Sequence, residues 1–581
     1  MVLATKGAQM HVRTVAPLWL ALALTSASAA SAASGDYDPT FGDGGIAGFD
    51  GTLLGPQDSA SDVRQRSDGR LLVAGEHGSA FAVLCLAPDG SLDSSFGAGG
   101  KLFVPEFGVG AHAFALAEQP DGLFVAAGAT DDPTPVLVRF DDTGTLDPTF
   151  GTSGRVELGF AGGLAGVIVQ PDGRIVGAGS RRTGVGLETD LLVVRLLPDG
   201  ALDASFASGG VLTVDLDAFD QLVGVARQAD GRLVAVGSGG TGVLSDRDLT
   251  LLRVDAAGAL DPTFGTGGVA RTDLGGSEHG VYLALQPDGK LVGGAFGADS
   301  YVLRWGSSGA LDPDFGAAGV RTLPVASFAP GIALQPDGKI VAVATRGVPP
   351  TFVVARLYAS GDFDPTFGAG GHRTNPFDGG GGSRSAILQA DGRIVTPAQT
   401  AGGQLFSAVR FENGVCPDAP LPGCLDPTSG RLVIAARSGG HKVAWKWRGP
   451  PLDVATFGDP VETSAYTLCL YGAGGVLLHA SALAGDGWRP AGTGFRYGAK
   501  PSSPHALSRV KLLANGTLKA VGRDLALGTP LPASLPLTAQ LVRQDAPQCW
   551  TATYFPAGVK RNNTTRFKGR TGSPSGAFLD G

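Results

Sequence analysis

The chain has 581 residues, of which 43% are hydrophobic and 17% are charged, and this composition excludes disorder over the whole length. Its 92 glycines stand among clear apolar runs and indicate many tight turns rather than collagen or a linker. The formal net charge of −8 combines an acidic N-terminal part with a basic C-terminal part, so the overall sign alone does not identify a partner.

Residues 1–33 have the features of a secretory signal peptide. Basic residues precede the apolar run VAPLWLALAL, and the stretch TSASAASAAS offers a cleavage site near Ala29 or Ala32. No cysteine follows directly, so a lipoprotein anchor is not indicated, and no later run reaches about 18 apolar residues. We therefore predict a soluble exported protein, located in the periplasm, at the cell surface or outside the cell, without a transmembrane segment.

Two short motifs alternate along the next part of the chain. The first, LDPTFG or a close variant, occurs seven times, and the second, QPDG or a variant before an apolar run, also occurs seven times. The Asp-Gly copies carry Asp68, Asp121, Asp172, Asp230, Asp288, Asp337 and Asp391. A period of about 50 to 58 residues is typical of propellers and solenoids. We predict a seven-bladed β-propeller over residues 34–413, with six or eight blades as alternatives.

Each period contains four strand-like runs, which predicts four-stranded antiparallel blades. In residues 319–363 these runs are GVRTLPV, GIALQ, KIVAVA and FVVARLY, with a Pro-Asp-Gly turn between the second and the third. Runs such as LLVVRL are apolar at consecutive positions, as expected where both faces of a sheet are covered. A sandwich would show cleaner alternation, a β-helix would need shorter coils, and no helical crossover supports an α/β fold.

The LDPTFG motif is predicted to be the connector between blades. Its Leu and Phe would pack between blades, Asp-Pro-Thr would form a turn, and the glycines would supply left-handed backbone. Because a motif copied seven times is typical of packing rather than of an active site, we assign it a structural role. The alternative is that the recurring acidic turns bind Ca²⁺, but several copies lack a third carboxylate.

An Arg stands eight residues before most connector Asp residues. We predict charge-assisted pairs between these Arg side chains and the connector loops of their own or a neighbouring blade. In the first unit this position is Cys85, and in the last unit a closed ring would bring Arg410 beside Asp38. The predicted pairs are Arg139 with Asp147, Arg195 with Asp203, Arg253 with Asp261, Arg304 with Asp312, Arg356 with Asp364, and Arg410 with Asp38.

The coupled motifs over residues 36–413 resemble the delta-60 repeat family, tandem repeats found mainly in bacterial extracellular proteins and understood as β-propeller blades. The resemblance implies a fold and export, and no catalytic residues of the family carry over. The first unit departs from the pattern at Cys85, and the second Asp-Gly motif has Leu123 in place of the usual basic residue.

The repeats stop at residue 413. Residues 414–430 are predicted to be a Cys- and Pro-rich linker, residues 431–570 an all-β, sandwich-like module, and residues 571–581 a flexible tail. From residue 416 onward, 18 Lys and Arg face 9 Asp and Glu, a net charge of +9, which leaves −17 for residues 1–415. The stretches WKW and CWTATY are similar to a C-terminal module of bacterial exported proteins, to which no activity is attached.

Four of the five cysteines are predicted to form disulfides, as expected of an exported chain. We expect Cys416 to pair with Cys424, closing a short loop, and Cys469 to pair with Cys549. The alternative for the second pair is two buried thiols in strands. Cys85 is expected to be a buried free thiol.

Enzyme signatures are missing, so no catalytic residue, cofactor or metal site is predicted. His112 and His279 are expected to be solvated loop residues, with a catalytic or metal-binding role as the alternative. The favoured function is an exported, non-catalytic and monomeric protein that binds or adheres to a protein or polysaccharide, with the basic module contacting the cell surface and with no nucleic-acid partner. The alternative is an extracellular polysaccharide lyase or hydrolase. His, Tyr, Arg or carboxylates converging in the central channel would favour the enzyme, and a lining of Val, Ala and Gly would favour binding.

Overall fold

In the computed structural model, the described part of the chain is built of β-strands. The helical elements of this part are three short 3-10 turns, at Pro105–Phe107, Val454–Phe457 and Pro556–Gly558. None of its helices is long and apolar enough to cross a membrane. The predicted signal peptide lies outside the described residues, and the prediction of an all-β chain is confirmed. The structure describes residues 35–50, 58–107, 110–184, 188–217, 219–240, 246–324, 328, 330–335, 338–346, 351–365, 367–377, 379–380, 385–389, 392–400, 405–413, 416, 420–421, 423–437, 440–461, 464, 466–472, 475–482, 487–498, 507–525, 535–543 and 548–571.

The described part of residues 46–411 forms seven antiparallel sheets, called sheets 1 to 7. The first strand of the described residues is β1 (Ile46–Asp50). Sheets 1 to 3 follow, made of β2 (Ser59–Gln65), β3 (Leu71–His77), β4 (Ala80–Leu86) and β5 (Lys101–Val104); β6 (His112–Glu118), β7 (Phe124–Ala129), β8 (Pro135–Phe140) and β9 (Arg155–Glu157); and β10 (Gly162–Val169), β11 (Ile175–Arg182), β12 (Thr189–Leu196) and β13 (Val211–Val214).

Sheets 4 to 6 repeat this four-stranded order, and sheet 7 includes the N-terminal strand. They are made of β14 (Gln221–Arg227), β15 (Leu233–Gly239), β16 (Asp248–Val254) and β17 (Val269–Thr272); β18 (His279–Leu285), β19 (Leu291–Phe296), β20 (Ser300–Trp305) and β21 (Val320–Thr322); and β22 (Gly331–Leu334), β23 (Ile340–Arg346), β24 (Thr351–Leu357) and β25 (His372–Pro376). Sheet 7 holds β26 (Gly379–Gly380), β27 (Ile387–Leu388), β28 (Ile394–Thr400), β29 (Leu405–Phe411) and β1.

The second and third strands of each sheet are apolar at consecutive positions because both faces are covered. On β3, Leu72 packs in a core shared with sheet 2, whereas Leu71 packs in a core shared with sheet 7. The first strand of each sheet contacts the first strand of the next, and β28 of sheet 7 contacts β2 of sheet 1. The sheets therefore follow one another in a cycle that returns to its start.

The connector motif lies within each sheet rather than between sheets. In sheet 5 it joins the third strand, β20, to the fourth, β21, so its prediction as a link between blades is wrong. The fourth strands have only three to five residues, too few for the repeat alone to reveal where one sheet ends. The packing role of the motif does hold, because Phe315 lies in a core shared by sheets 5 and 6.

The described residues after 424 form two further antiparallel sheets. The eight-stranded sheet has the spatial order β34, β35, β36, β37, β31, β30, β41, β40, and the smaller sheet has the order β33, β32, β38, β39. Their bounds are β30 (Ser429–Arg437), β31 (Gly440–Arg448), β32 (Tyr466–Gly472), β33 (Gly475–Ala482), β34 (Trp488–Pro490), β35 (Gly494–Gly498), β36 (Leu507–Leu513), β37 (Thr517–Leu525), β38 (Leu537–Arg543), β39 (Cys549–Tyr554), β40 (Val559–Asn563) and β41 (Arg566–Arg570).

One apolar core joins these two sheets. Trp445 and Trp447 of β31 are fully buried against Leu468 of β32, Leu541 of β38 and Trp550 of β39. Alternate residues of β31 therefore point inward, and the residues between them point away from the core.

The four disulfide cysteines are those predicted, but the partners differ. Cys416 pairs with Cys469, and Cys424 pairs with Cys549, with Cα atoms 5.6 and 4.8 Å apart. The predicted bridge from Cys469 to Cys549 is wrong because β38 lies between β32 and β39, which separates these strands by about 9.6 Å. A disulfide spans less than about 7 Å between Cα atoms.

The linker segment supplies the other half of each bridge. Leu421 lies over the smaller sheet and exchanges two hydrogen bonds of 2.9 Å with the side chain of Gln540 on β38. Its neighbours Cys416 and Cys424 thus reach the strands on the two sides of β38, which explains why they do not pair with each other. In contrast, Cys85 is buried and forms no disulfide.

Candidate functional site

The first strands of sheets 1 to 5 line a cavity of about 400 Å³ at the centre of the seven sheets. One side is apolar and is formed by Ala165, Val167 and Val223 of sheets 3 and 4. Another part of the lining carries Arg64 and Tyr282, of sheets 1 and 5. The cavity therefore combines polar residues, which would favour an enzyme, with apolar residues, which would favour a binding protein.

The charged side of the cavity is held by backbone contacts. Asp62 is buried and accepts hydrogen bonds from the amides of Val63 and Leu116, both at 2.9 Å. Arg64 Nε lies 3.4 Å from Asp62 Oδ2 and donates to the carbonyl oxygen of Leu116 at 3.1 Å. The charge of Asp62 raises the pKa of Arg64 despite its desolvation. Arg64 is therefore a fixed cation in the wall.

His112 and His279 are not solvated loop residues, so that prediction is wrong. They begin β6 and β18 and are only partly exposed. Their rings stack on Phe114 and Phe296, with centroids 4.3 and 4.8 Å apart. Burial lowers the pKa of His279, with the charge of nearby Arg247 acting in the same direction. The glycines near these histidines indicated loops, so the sequence did not predict that strands begin there.

The structure brings together all six predicted Arg and Asp pairs. In each, Arg Nε donates to Asp Oδ2 at 2.6 to 2.8 Å. Each guanidinium also lies 4.3 to 4.8 Å from the ring centroid of the connector Phe. A hydrogen bond from Ser205 and the charge of Arg195 lower the pKa of Asp203 to about 2. These pairs, repeated in six sheets, hold the fold.

Each Arg also reaches the following sheet. Arg253 Nη1 donates to the carbonyl oxygen of Ser307, in the loop after β20. Sheet 1 has Cys85 instead of this Arg, and the corresponding carbonyl oxygen, that of Asp142, accepts a 2.7 Å hydrogen bond from Arg66. Arg66 occupies the position that is Gln in the other copies of the Asp-Gly motif. The guanidinium that binds this carbonyl oxygen therefore comes from the turn after β2 instead of from β4.

One group of three carboxylates is close enough to share a cation in the described part of the chain. Oxygens of Asp248, Asp273 and Glu278 lie within 4.8 Å of one another. Burial raises the pKa of Asp248 and Glu278, and mutual repulsion adds to the shift. Arg271 Nη1 lies 3.9 Å from Asp248 Oδ2 and therefore places a positive charge beside the three carboxylates. The acidic turns considered for Ca²⁺ are different, since Asp203 and its equivalents are bound to Arg.

A row of seven basic residues crosses the eight-stranded sheet, each directly opposite the next on the neighbouring strand. We call this row the cation ladder. All seven side chains are exposed or half-buried, and none forms an ion pair with a carboxylate that the structure describes. Strands about 4.8 Å apart give the ladder a length of about 29 Å. In spatial order it consists of Arg489, Arg496, Lys511, Lys519, Lys446, Arg431 and Arg570.

Further positive charge surrounds the ladder. The pKa of Lys568, on the edge of this face, is lowered first of all by the charge of Arg431. An open groove of about 500 Å³ adjoins the other end, beside Arg489 and Arg496. The sequence indicated a basic module through its net charge, but it did not reveal the row, because the row depends on the register of seven strands.

Six segments of the chain match the family described as domain of unknown function (DUF5122) beta-propeller. They are residues 66–96, 119–150, 170–206, 228–264, 286–315 and 335–367. Each segment runs from the Gln or Arg that stands two residues before the Asp of the Asp-Gly motif to the Phe of the connector. The repeats of this chain thus match a β-propeller family. No curated protein matches the chain in sequence.

Solved structures similar to this chain include virginiamycin B lyase from Staphylococcus aureus, with 11% identity, a TM-score of 0.39, and 63% of this chain and 98% of that chain covered. YCF48 from Cyanidioschyzon merolae has 12% identity, a TM-score of 0.36, and coverages of 63% and 99%. A gluconolactonase from Xanthomonas campestris has 13% identity, a TM-score of 0.29, and coverages of 61% and 99%. Nothing about the activity of this chain follows from these values.

Proposed function

We propose that this protein is an exported binding protein that attaches to an anionic polysaccharide through the cation ladder. In this proposal, residues 1–33 are a signal peptide, residues 34–413 form a seven-bladed propeller of delta-60 type, and residues 431–570 form a β-sandwich that carries the ladder. The linker, residues 414–430, fastens the sandwich through its two disulfides, and residues 571–581 are a tail. The protein acts as a monomer.

The observation that carries the proposal is the alignment of seven cations without a described counter-ion. Like charges placed directly opposite each other on neighbouring strands are destabilising. Lys519, for example, faces Lys446 on one side and Lys511 on the other. A sheet that needed only solubility would mix both signs of charge. A polyanion bound along the row would neutralise all seven charges. Binding of such a polymer therefore explains why the sheet keeps a row of mutually repelling cations.

The chemistry of the face favours a polysaccharide over nucleic acid or lipid. Binding of single-stranded nucleic acid uses aromatic side chains that stack on bases, and membrane insertion uses exposed apolar side chains. The tryptophans of β31 point into the core instead, and Phe555 is the exposed large aromatic residue of the described chain. A surface of cations alone suits a linear polymer with a regular anionic charge, and the disulfides favour an extracellular partner.

The propeller would orient the attachment. Residues 1–415 carry a net charge of −17, against +9 for the rest. An anionic polymer is therefore repelled by one part and attracted by the other, so the propeller faces away from the polymer and presents its cavity to solvent.

The test is binding of the full-length protein to polygalacturonate at about 20 mM and about 200 mM NaCl, since salt screens surface charges. We expect salt-sensitive binding that falls at least about tenfold in the double variant Lys446→Gln and Lys519→Gln. The matched control, Lys101→Gln with Arg227→Gln, removes the same charge from the propeller and should change affinity less than about twofold. Equal losses in both variants, or no binding by the wild type, would contradict the proposal.

The second candidate is an enzyme that acts on the polysaccharide, and the polar side of the central cavity favours it. Arg64, Tyr282 and His279 line that cavity together. Release of reducing ends from the bound polymer, measured in the same samples, would support depolymerisation. Binding with no release over a day would support attachment alone.

A further inference from the structure

We propose that Ser61, His112 and Glu76 form a nucleophile, base and acid triad that hydrolyses esters in the central cavity. Ser61 Oγ lies 2.8 Å from His112 Nε2, and His112 Nδ1 lies 3.1 Å from Glu76 Oε2. The residues lie on three strands, β2, β6 and β3, at the contact between sheets 1 and 2. The three residues lie in sheets 1 and 2, whereas the cation ladder lies on the eight-stranded sheet. The triad proposal is therefore tested independently of the proposed polysaccharide binding.

The geometry fixes the direction of each hydrogen bond. A carboxylate can only accept, so Glu76 holds the proton of the imidazole on Nδ1. The lone pair of Nε2 then faces Ser61, whose hydroxyl donates to it. The Ser59 hydroxyl also lies near Nδ1, at 3.4 Å, which is longer than the contact with Glu76. An imidazole held in this tautomer is ready to take a proton from serine.

Comparison with the other sheets shows that the site breaks the repeat. Ser61 is the extra residue of a β-bulge that recurs in the first strands of sheets 1 to 5. The other four bulges carry Phe114, Ala165, Val223 and Val281. The position of Glu76 is likewise taken by Ala129, Ser180, Ser238 and Phe296 in those sheets.

This departure has a functional meaning. A packing device is copied in every repeat, as the Arg and Asp pairs are, whereas a catalytic site is needed once. Among the five bulges, only the one in sheet 1 combines a hydroxyl with a histidine from the next sheet and a carboxylate behind it. Bulges are also places where a strand re-aims a side chain.

The surroundings of Ser61 suit a small acyl group. Its side chain is largely buried but lines the cavity of about 400 Å³. Phe114, Ala165 and Val223 provide an apolar surface in the same cavity, which fits a short aliphatic acyl chain. The guanidinium of Arg64 supplies a positive charge to the same space, where it would stabilise a developing oxyanion.

The reaction consumes one ester and one water. Ser61 Oγ attacks the carbonyl carbon, and the serine proton passes to His112 Nε2. The adduct then breaks its bond to the alcohol oxygen, which leaves with that proton. Water attacks the acyl-serine in the same way, with His112 again accepting and returning the proton. The carboxylic acid departs, and the Ser61 hydroxyl is restored without any oxidant or reductant.

The test is covalent labelling of the full-length protein with an alkyl fluorophosphonate, located by peptide mass spectrometry. We expect an adduct on Ser61 that is absent in Ser61→Ala and slowed at least about a hundredfold in His112→Gln. Ser238→Ala is the matched control, because Ser238 is a buried hydroxyl in the same cavity, and it should label at the wild-type rate.

Glu76 is a positioning residue, and hydrolysis of p-nitrophenyl butyrate distinguishes its role from a structural one. We expect Glu76→Gln to lower kcat about tenfold without raising KM, and Glu76→Asp to restore part of the rate. A folded wild-type protein that forms no adduct on Ser61 would overturn the proposal. Labelling of His112→Gln at the wild-type rate would also overturn it.

Discussion

Arg410 Nε donates to Asp38 Oδ2 at 2.6 Å, although the two residues are 372 positions apart in the sequence. Both side chains are buried, and the guanidinium also lies 4.3 Å from the ring centroid of Phe41. Arg253 makes the same arrangement with Asp261 and Phe264, which follow it by eight and eleven residues in the sequence. The first segment of the propeller thus completes the last sheet with the contacts used everywhere else.

Arg410→Ala is expected to destabilise the propeller by about 3–5 kcal/mol, because it leaves the buried Asp38 carboxylate without this partner. Arg253→Ala breaks an equivalent pair within one sheet and should cost a similar amount. Only the Arg410 variant should also speed amide exchange in β1, because that strand is tied to the rest of sheet 7 from the opposite end of the repeats. Equal exchange of β1 in the two variants would show that the pair does not hold the closure.

Arg66 stands where the other repeats have Gln, and Cys85 stands where they have Arg. We therefore predict that substitutions at these two positions affect stability in a strongly coupled way. Arg66→Gln removes a charged hydrogen bond to the carbonyl oxygen of Asp142 and should cost about 1.5–3 kcal/mol. Cys85→Arg alone places two guanidinium groups at one site and should also destabilise. The double variant rebuilds the arrangement of the other sheets and should return within about 1 kcal/mol of the wild type. Urea unfolding of the four proteins measures the cycle, and simple additivity would refute the coupling.

The burial of Asp220 predicts a contribution to the free energy of unfolding that disappears as pH rises. Burial raises its pKa from 3.8 to about 6, so the folded state binds a proton that the unfolded state has already lost. This contribution is up to about 3 kcal/mol. It is fully present below about pH 4 and is lost as the pH rises to about 6. The amides of Leu216 and Gly240 both donate to this carboxylate. The difference in unfolding free energy between the wild type and Asp220→Asn should therefore change over this window, and a flat difference would contradict the shift.

The cation ladder should reduce the stability of the sheet that carries it. Lys519→Gln relieves repulsion from Lys446 and Lys511 and is expected to stabilise the protein by about 0.2–1 kcal/mol at low salt. The gain should vanish near 1 M NaCl, where the Debye length is about 3 Å. Lys290→Gln is the control, since Lys290 lies 2.8 Å from Asp312 and its removal should destabilise. A destabilised Lys519→Gln variant would mean that the ladder is not under repulsion.

The repeats of the sequence predicted most of the fold because they report local contacts. A constant spacing of eight residues places Arg139 opposite the turn that holds Asp147, and the same reasoning extended correctly from Arg410 to Asp38. The position of the sheet boundary was missed because a fourth strand such as β21 has three residues and no distinct pattern.

The parts that were missed depend on which strands are neighbours. The pairing of Cys469 required the knowledge that β38 separates it from Cys549. The row through Lys446 and Lys519 required the register of the whole sheet. Ser61 and His112 are 51 positions apart and meet only because sheets 1 and 2 pack together. Composition and spacing contain none of this information.

The most direct test of the proposed attachment is lysine acetylation of the full-length protein with and without polygalacturonate, read by peptide mass spectrometry. We predict that Lys446, Lys511 and Lys519 react at least about fivefold more slowly with the polymer present, while Lys101 and Lys290 change less than about twofold. Slower acetylation of the propeller lysines, with the three ladder lysines unchanged, would contradict attachment through the cation ladder.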